Sequence, residues 1–258
     1  MTHLDRSPLV VLRTSQDRLA AVVGGLDDDA ITGMSYCDEW TIAQVCSHLG
    51  SGAEIGLDWL AAARERRAPM GHDDMPKVWD RWNAMSPRQQ VEESLTMNER
   101  HVDAFETLDD DALAAAQIEL FGMMKLDGVG LAGFRIPEHS LHTWDIAVAL
   151  DPSARVLPEA IDTLVEGLAM AVSYLAKPAG RAWSLTVRTT APVQTFALRS
   201  TGDAVSLAEG DGVDGTLDIT AEAFVRLAFG RLDERNADGA RSTGQLTLDD
   251  LRAAFPGI

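Results

Sequence analysis

The sequence predicts a two-domain protein of class α + (α+β), in which a helix bundle precedes a smaller α+β domain with an antiparallel sheet. In the first 150 or so residues, apolar side chains recur at three- and four-residue steps, as in amphipathic helices. After about residue 182, several segments alternate apolar and polar residues, as strands do. Residues 1–152 carry 26 acidic and 12 basic residues, against 14 and 10 in residues 153–258. We therefore place the bundle at 1–152 and the α+β domain at 153–258.

Capping signals mark three helices of the predicted bundle. Residues 7–25 have helical composition and end at a glycine pair. Thr41 and Gln44 form a capping-box pattern, which predicts a helix that extends to about residue 67. After a loop at 67–76, Ser86 and Pro87 supply an N-cap and a first-turn proline for a helix that ends near residue 108.

The last bundle helix follows a glycine-rich connection at 122–133. Pro137 predicts its first turn, and the pair Asp151-Pro152 ends it after Leu150. Four mostly amphipathic helices within about 150 residues are typical of a helix bundle.

The second domain begins with a helix at about 158–177. Strand-like alternation follows in WSLTVRTTA, QTFALRS and AVSLAEG, and TLDIT is a further strand. AEAFVRLAFG and TLDDLRAAF are short enough to be single small helices. This order of elements favours an antiparallel sheet packed against helices.

Composition excludes several classes of protein. The chain has 258 residues, of which 46% are hydrophobic, and a formal net charge of −18. No segment approaches the roughly 20 apolar residues that span a bilayer. Near the N-terminus, where a signal peptide would have an apolar core, the chain carries the charged residues Asp5, Arg6 and Arg13. The strongly negative charge of the protein would repel the phosphate backbone of a nucleic acid. We therefore expect a cytoplasmic protein that has neither a membrane nor a nucleic acid as its partner.

Polar residues share one face of the last bundle helix. With Glu138 at 0°, His142 lies at about +40° and Asp145 at about −20°, in the middle of the apolar arc. Burying such groups costs several kcal/mol unless they are paired. A divalent metal bound by Glu138 and His142, one turn apart, would meet that need, and zinc is the expected ion.

His48 is the best candidate for a third ligand, because it flanks the apolar face of the helix that begins near residue 41. Three protein ligands leave an open position, as in catalytic zinc sites. Asp145 would then support the site by orienting an imidazole or holding water. The alternative is a Glu138–His142 salt bridge with a hydrogen-bonded Asp145, and His48 as an ordinary histidine at the edge of the core.

Other polar residues have candidate roles beside this group. Arg81 and Arg135 could each hold a substrate carboxylate through two hydrogen bonds; Arg81 is a catalytic candidate and Arg135 a substrate-binding one. A surface or structural arginine is the alternative for each. The two cysteines make no disulfide framework. Cys46 is interpreted as a packing residue and Cys37 as a thiol in a loop or cap region.

Two segments carry a resemblance to a known family. WTIAQVCSHL at 40–49 and RIPEHSLHTWDIA at 135–147 resemble the mycothiol-dependent maleylpyruvate isomerases, which belong to the DinB-like four-helix-bundle superfamily. The resemblance implies that His48, Glu138 and His142 are zinc ligands. The C-terminal part is similar to the family's sterol-carrier-like α+β domain.

The resemblance also implies a mechanism. Mycothiol, a low-molecular-weight thiol, would place its sulfur in the open metal position as a reactive thiolate. A maleylpyruvate isomerase-like enzyme uses it to isomerise a small electrophile with a cis double bond. One alternative is a mycothiol S-transferase of detoxification or secondary metabolism, and another is a non-catalytic, metal-stabilised protein that binds a small ligand.

Overall fold

The computed structural model describes residues 4–178 and 180–257, and packing contacts divide the chain into two compact units between Ala160 and Ile161. The first unit contains α1 (Ser7–Val23), α2 (Asp28–Thr32), α3 (Ile42–Glu65), α4 (Met75–Asn83), α5 (Pro87–Glu106), α6 (Asp110–Ala115), the hairpin β1 (Ile118–Leu120) and β2 (Met124–Leu126), and α7 (Gly128–Leu150).

The four long helices of this unit form the predicted bundle. Helix α1 packs against α5 and α7, and α3 packs against the same two helices. Each of the four helices contributes buried side chains to one apolar cluster, which includes Leu19, Val45, Leu49, Val91 and Ile146. The prediction of an N-terminal helix bundle is therefore confirmed.

The predicted capping box at the start of α3 is present, and Ser86 is the N-cap of α5, as predicted. Thr41 Oγ1 accepts a hydrogen bond from the Gln44 backbone N–H at 3.2 Å, and Gln44 Oε1 accepts one from the Thr41 backbone N–H at 2.9 Å. Ser86 and Gln89 make the same reciprocal pair at the start of α5. Because α3 begins at Ile42, His48 lies in its second turn.

Helix α7 begins nine residues earlier than Pro137 predicts, so that prediction is wrong. The Asp127 carboxylate caps the helix by accepting from the Gly130 backbone N–H at 2.8 Å, and Pro137 lies inside the helix. Gly128 permits a close approach, since a Cβ there would lie 2.9 Å from the carbonyl oxygen of Leu113. Gly128 therefore allows α6 and α7 to pack closely.

Glycines on α3 make room for large polar side chains from neighbouring helices. A Cβ at Gly52 would lie 2.6 Å from a terminal nitrogen of Arg135, and a Cβ at Gly56 would lie 2.5 Å from His101 Nε2. Both distances are too short for a side chain, so these polar groups can pack directly against the α3 backbone.

The second unit is built from helices and one larger sheet. Its elements are α8 (Ile161–Glu166), α9 (Leu168–Leu175), β3 (Ala182–Thr190), β4 (Thr195–Thr201), β5 (Val205–Glu209), β6 (Gly215–Thr220), α10 (Ala221–Ala228), β7 (Arg241–Gly244) and α11 (Leu248–Ala254). The helix predicted at 158–177 is divided into a 3₁₀ turn at Pro158–Ala160, α8 and α9.

The sheet has the strand order β5-β4-β3-β6-β7. The pairings β3–β4, β4–β5 and β6–β7 are antiparallel, as predicted, whereas β3 and β6 run parallel with Val187 opposite Leu217. The alternation of side chains identifies the buried face of a strand but not its partner. Strand β7, a short polar segment, was not predicted from the sequence.

Among the described residues, no helix has the length and apolar character that crossing a membrane requires.

Two buried histidines lie in the interior of the bundle, with Arg135 near them. His101 and His139 are 2% and 1% exposed. Burial, assisted by the positive charge of Arg135, lowers the pKa of His101 to about 3, and the same causes hold the pKa of His139 well below its usual range. Both side chains are therefore neutral at pH 7. Ser15 Oγ lies 2.8 Å from His139 Nδ1.

We predict that His101 makes the fold sensitive to acid. Its folded-state pKa of about 3 lies below the value of about 6.5 expected in the unfolded chain, so protons bind preferentially to the unfolded state as the pH falls below 6.5. The stability that the neutral imidazole contributes is thus complete above pH 6.5 and declines towards pH 3. When the pH is lowered from 7.5 to 5, the free energy of unfolding should decrease in both proteins. The decrease should be about 2 kcal/mol smaller in His101→Gln than in the original chain. Urea unfolding at both pH values measures this, and an equal loss in the two proteins would contradict it.

Candidate metal centre

Three side chains from α3 and α7 converge on one point. His48 Nε2 lies 2.9 Å from Glu138 Oε2, and His142 Nε2 lies 3.7 Å from the same oxygen. One potential ligand atom from each of the three residues lies within 4.8 Å of the other two. The Glu138 side chain is 49% exposed and that of His48 32%, so the group is accessible from outside the bundle. The structure thus brings together the three residues that the sequence predicts as ligands.

Asp145 lies behind His142, away from Glu138. Its Oδ2 is 2.8 Å from His142 Nδ1, and its side chain is fully buried. An ionised carboxylate accepts hydrogen bonds only, so His142 Nδ1 must donate. The neutral imidazole then has its free lone pair on Nε2, the nitrogen that faces Glu138. Asp145 is therefore placed to orient His142, the supporting role that the sequence suggests for it.

The indole of Trp40 lies against both histidines. The centroid of the Trp40 ring is 5.1 Å from that of His48 and 6.0 Å from that of His142, and the two imidazole centroids are 4.7 Å apart. Trp40 immediately precedes the N-cap of α3, so the same local structure that begins the helix places this ring at the site. Its packing restricts the rotation of both imidazoles.

Cys37 is a residue of this site that sequence reasoning did not assign to it. Its Sγ lies 3.2 Å from Asp145 Oδ2 and 3.9 Å from His142 Nδ1. The cysteine and the aspartate are 108 positions apart in the chain, so no local spacing could reveal the contact. Cys46, in contrast, is fully buried within the apolar cluster of the bundle, consistent with its interpretation as a packing residue.

The electrostatic environment keeps Glu138 ionised. Burial by itself raises the pKa of this carboxyl group, but the hydrogen bond with His48 and the electrostatic influence of the neighbouring His142, His48 and Arg135 side chains outweigh it. The net result is a pKa well below the ordinary value for glutamate. The carboxylate is available as a ligand at neutral pH.

The two candidate arginines have different surroundings. Arg135 is buried, donates to the Leu49 carbonyl oxygen at 2.6 Å, and has an Nε without a hydrogen-bond partner among the described residues. Burial lowers its pKa to about 10 against the opposing effect of Glu138. Arg81 pairs instead with Glu54 of α3, which also accepts from Trp82 Nε1. The ion pair of Arg81 with Glu54 thus lies outside the group formed by His48, Glu138 and His142.

The donor atoms fit a divalent metal such as zinc. Two imidazole nitrogens and one carboxylate oxygen are a common three-residue ligand set for catalytic zinc. The short contact between His48 and Glu138 brings together the atoms that a single ion would hold. Without an ion, Glu138 pairs with both imidazoles, whereas the alternative drawn from the sequence includes only its salt bridge with His142 and leaves His48 as an ordinary histidine.

Comparison with known proteins identifies the family of the part of the chain that carries this group. The family model described as the mycothiol maleylpyruvate isomerase N-terminal domain matches residues 12–147, just over half of the chain. A crystal structure of the mycothiol-dependent maleylpyruvate isomerase is similar, with a TM-score of 0.69 and 14% identity over 94% of this chain and 95% of that one. A histidine-to-alanine mutant of that isomerase gives a TM-score of 0.68 at the same identity and coverage. No curated protein sequence matches. From residue 12 to residue 147, a stretch that contains the whole candidate metal centre, the chain belongs to the family of the mycothiol maleylpyruvate isomerase N-terminal domain.

Proposed function

We propose that this protein is a metal- and mycothiol-dependent enzyme that activates a thiol for isomerisation of a small electrophilic substrate. The observation that carries the proposal is the convergence of His48, Glu138 and His142 within reach of one ion. Membership of the isomerase family supports the same reaction class.

His48, Glu138 and His142 would hold the metal, with zinc as the ion that suits the donor set. When bound, such an ion lowers the pKa of a coordinated thiol, so that the reactive thiolate is present near neutral pH. Three protein ligands leave room for that thiol, and the partial exposure of Glu138 and His48 allows it to approach.

Asp145 and Arg135 have distinct proposed roles. Asp145 holds the proton on His142 Nδ1 and so directs Nε2 towards the ion. Arg135 lies one helical turn before Glu138 and would bind a negatively charged group of the substrate, since among the described residues its buried Nε has no hydrogen-bond partner. Arg81 is paired with Glu54, so a catalytic role would require it to break this ion pair and bind the substrate instead.

The same site also suits a mycothiol S-transferase. Isomerisation and transfer both require an activated thiol and an electrophile, so the ligand set supports them equally. In the non-catalytic alternative, a bound metal would stabilise the bundle without turnover of any substrate.

We predict about one zinc ion per chain in protein purified without chelators. His142→Ala should abolish stoichiometric binding, since the remaining imidazole and carboxylate form a much weaker site. His72→Ala is a matched control, because His72 is exposed and stacks on Phe121 at a centroid distance of 4.6 Å, outside the metal-ligand group. Elemental analysis by mass spectrometry measures the stoichiometry. Absence of stoichiometric metal from the original chain would contradict the proposal.

Turnover should require both the metal and the thiol. The assay combines zinc-loaded protein and mycothiol with a panel of cis-unsaturated diacids, maleylpyruvate among them, and of other small electrophiles. Mass spectrometry and chromatography then separate the outcomes. A product of unchanged mass and altered geometry supports the isomerase, whereas accumulated thiol conjugates favour the transferase. Turnover independent of thiol, or none across the panel, would contradict the proposed enzyme.

A further inference from the structure

We propose that Cys37 is a positioning residue of the metal centre: its S–H group holds the Asp145 carboxylate in the orientation that directs His142 Nε2 towards the ion. This inference rests on the proposed function, because it requires His142 to be a ligand. It concerns a residue that the family resemblance and the sequence pattern leave without a role.

The hydrogen bonds of Asp145 provide the first step. Its side chain is fully buried, and Oδ2 receives both the His142 Nδ1–H at 2.8 Å and the Cys37 S–H at 3.2 Å. A buried carboxylate is costly unless donors surround it. Since the two donors share one oxygen, the thiol constrains the rotation of the carboxylate and thereby the direction of the oxygen that the imidazole meets.

A short turn at 34–41, ahead of α3, holds the thiol in place. The turn is closed by the pairing of Met34 with Thr41 and by the Ser35 backbone N–H, which donates to the Trp40 carbonyl oxygen at 2.9 Å. Ser35 Oγ accepts from the Cys37 backbone N–H at 3.1 Å. These local hydrogen bonds thus fix the position of Cys37 within the turn.

The 34–41 turn is also attached directly to α7. The Tyr36 backbone N–H donates to the backbone carbonyl oxygen of Asp145 at 2.9 Å, beside the contact made by the thiol. Trp40, from the same turn, packs against His48 and His142. One segment of chain therefore contacts both histidines and the aspartate behind them, which couples the α3 and α7 parts of the site.

The alternative role for the thiol is that of a ligand, because Cys37, His142 and Asp145 also lie within reach of one ion. That ion would have to replace the 2.8 Å hydrogen bond between His142 Nδ1 and Asp145 Oδ2. The group of His48, Glu138 and His142 uses the opposite nitrogen, Nε2, and leaves this bond intact. The geometry therefore favours a positioning role.

Zinc affinity of the full chain tests the inference. Each protein is titrated with zinc against a chromophoric chelator: the original chain, Cys37→Ala, Cys37→Ser and Cys46→Ala. We expect Cys37→Ala to weaken zinc binding about tenfold, the lower end of the effect seen when partners of metal ligands are removed. Cys37→Ser should retain most of the affinity, since its hydroxyl group still donates to the carboxylate.

Cys46→Ala is the matched control, because it removes the other cysteine of the chain, which lies in the apolar cluster near the start of α3. It should lower the thermal unfolding temperature but leave the zinc affinity unchanged. An equal loss of affinity in Cys46→Ala and Cys37→Ala would assign the effect to general destabilisation and overturn the inference.

The remaining outcomes separate this inference from the proposed function. If the original chain binds no zinc, the proposed metal centre fails. If it binds zinc and Cys37→Ala binds equally well, the metal centre stands and the positioning role is overturned. An equal loss in Cys37→Ala and Cys37→Ser would identify the sulfur as a ligand and likewise overturn it.

Discussion

The carboxylate of Glu138, shared between the imidazoles of His48 and His142, is the contact on which the candidate centre depends. It joins α3 and α7, so it forms only if the two helices lie side by side in the correct rotation. The hydrogen bond from His142 to the buried Asp145 then determines which nitrogen faces the shared oxygen. The bundle thus supplies a rigid frame, and the chemistry is concentrated where its two helices meet.

The neighbourhood of α3 and α7 is more polar than a simple apolar core. Gly52 and Gly56 leave space for the guanidinium of Arg135 and the imidazole of His101, both of which are buried. A buried guanidinium requires hydrogen-bond acceptors, and Arg135 donates to one of them, the Leu49 carbonyl oxygen. Burial, together with this positive charge, lowers the pKa of His101 and His139; burial raises the pKa of Glu138, but the hydrogen bond with His48 and the charge of Arg135 are among the effects that lower it. The interior therefore favours the ionised form of the carboxylate and the neutral form of His101.

Features encoded within one helix were predictable, and those that depend on tertiary pairing were less so. The cap at Thr41 and the stripe of Glu138, His142 and Asp145 follow from local spacing and are present in the structure. The approach of His48 was inferred only from its position at the edge of an apolar face, and the contact of Cys37 with Asp145 has no local signal. Similarly, strand periodicity identified β3 and β6 but not their parallel pairing.

X-ray absorption at the zinc edge, on the zinc-loaded full chain without added thiol, tests the central claim most directly. We predict a first shell of nitrogen and oxygen atoms only, at about 2.0–2.2 Å, with the multiple-scattering pattern of two imidazoles. His48→Ala should leave the pattern of a single imidazole. A sulfur atom at about 2.3 Å, or a spectrum with no imidazole contribution, would contradict a centre formed by His48, Glu138 and His142.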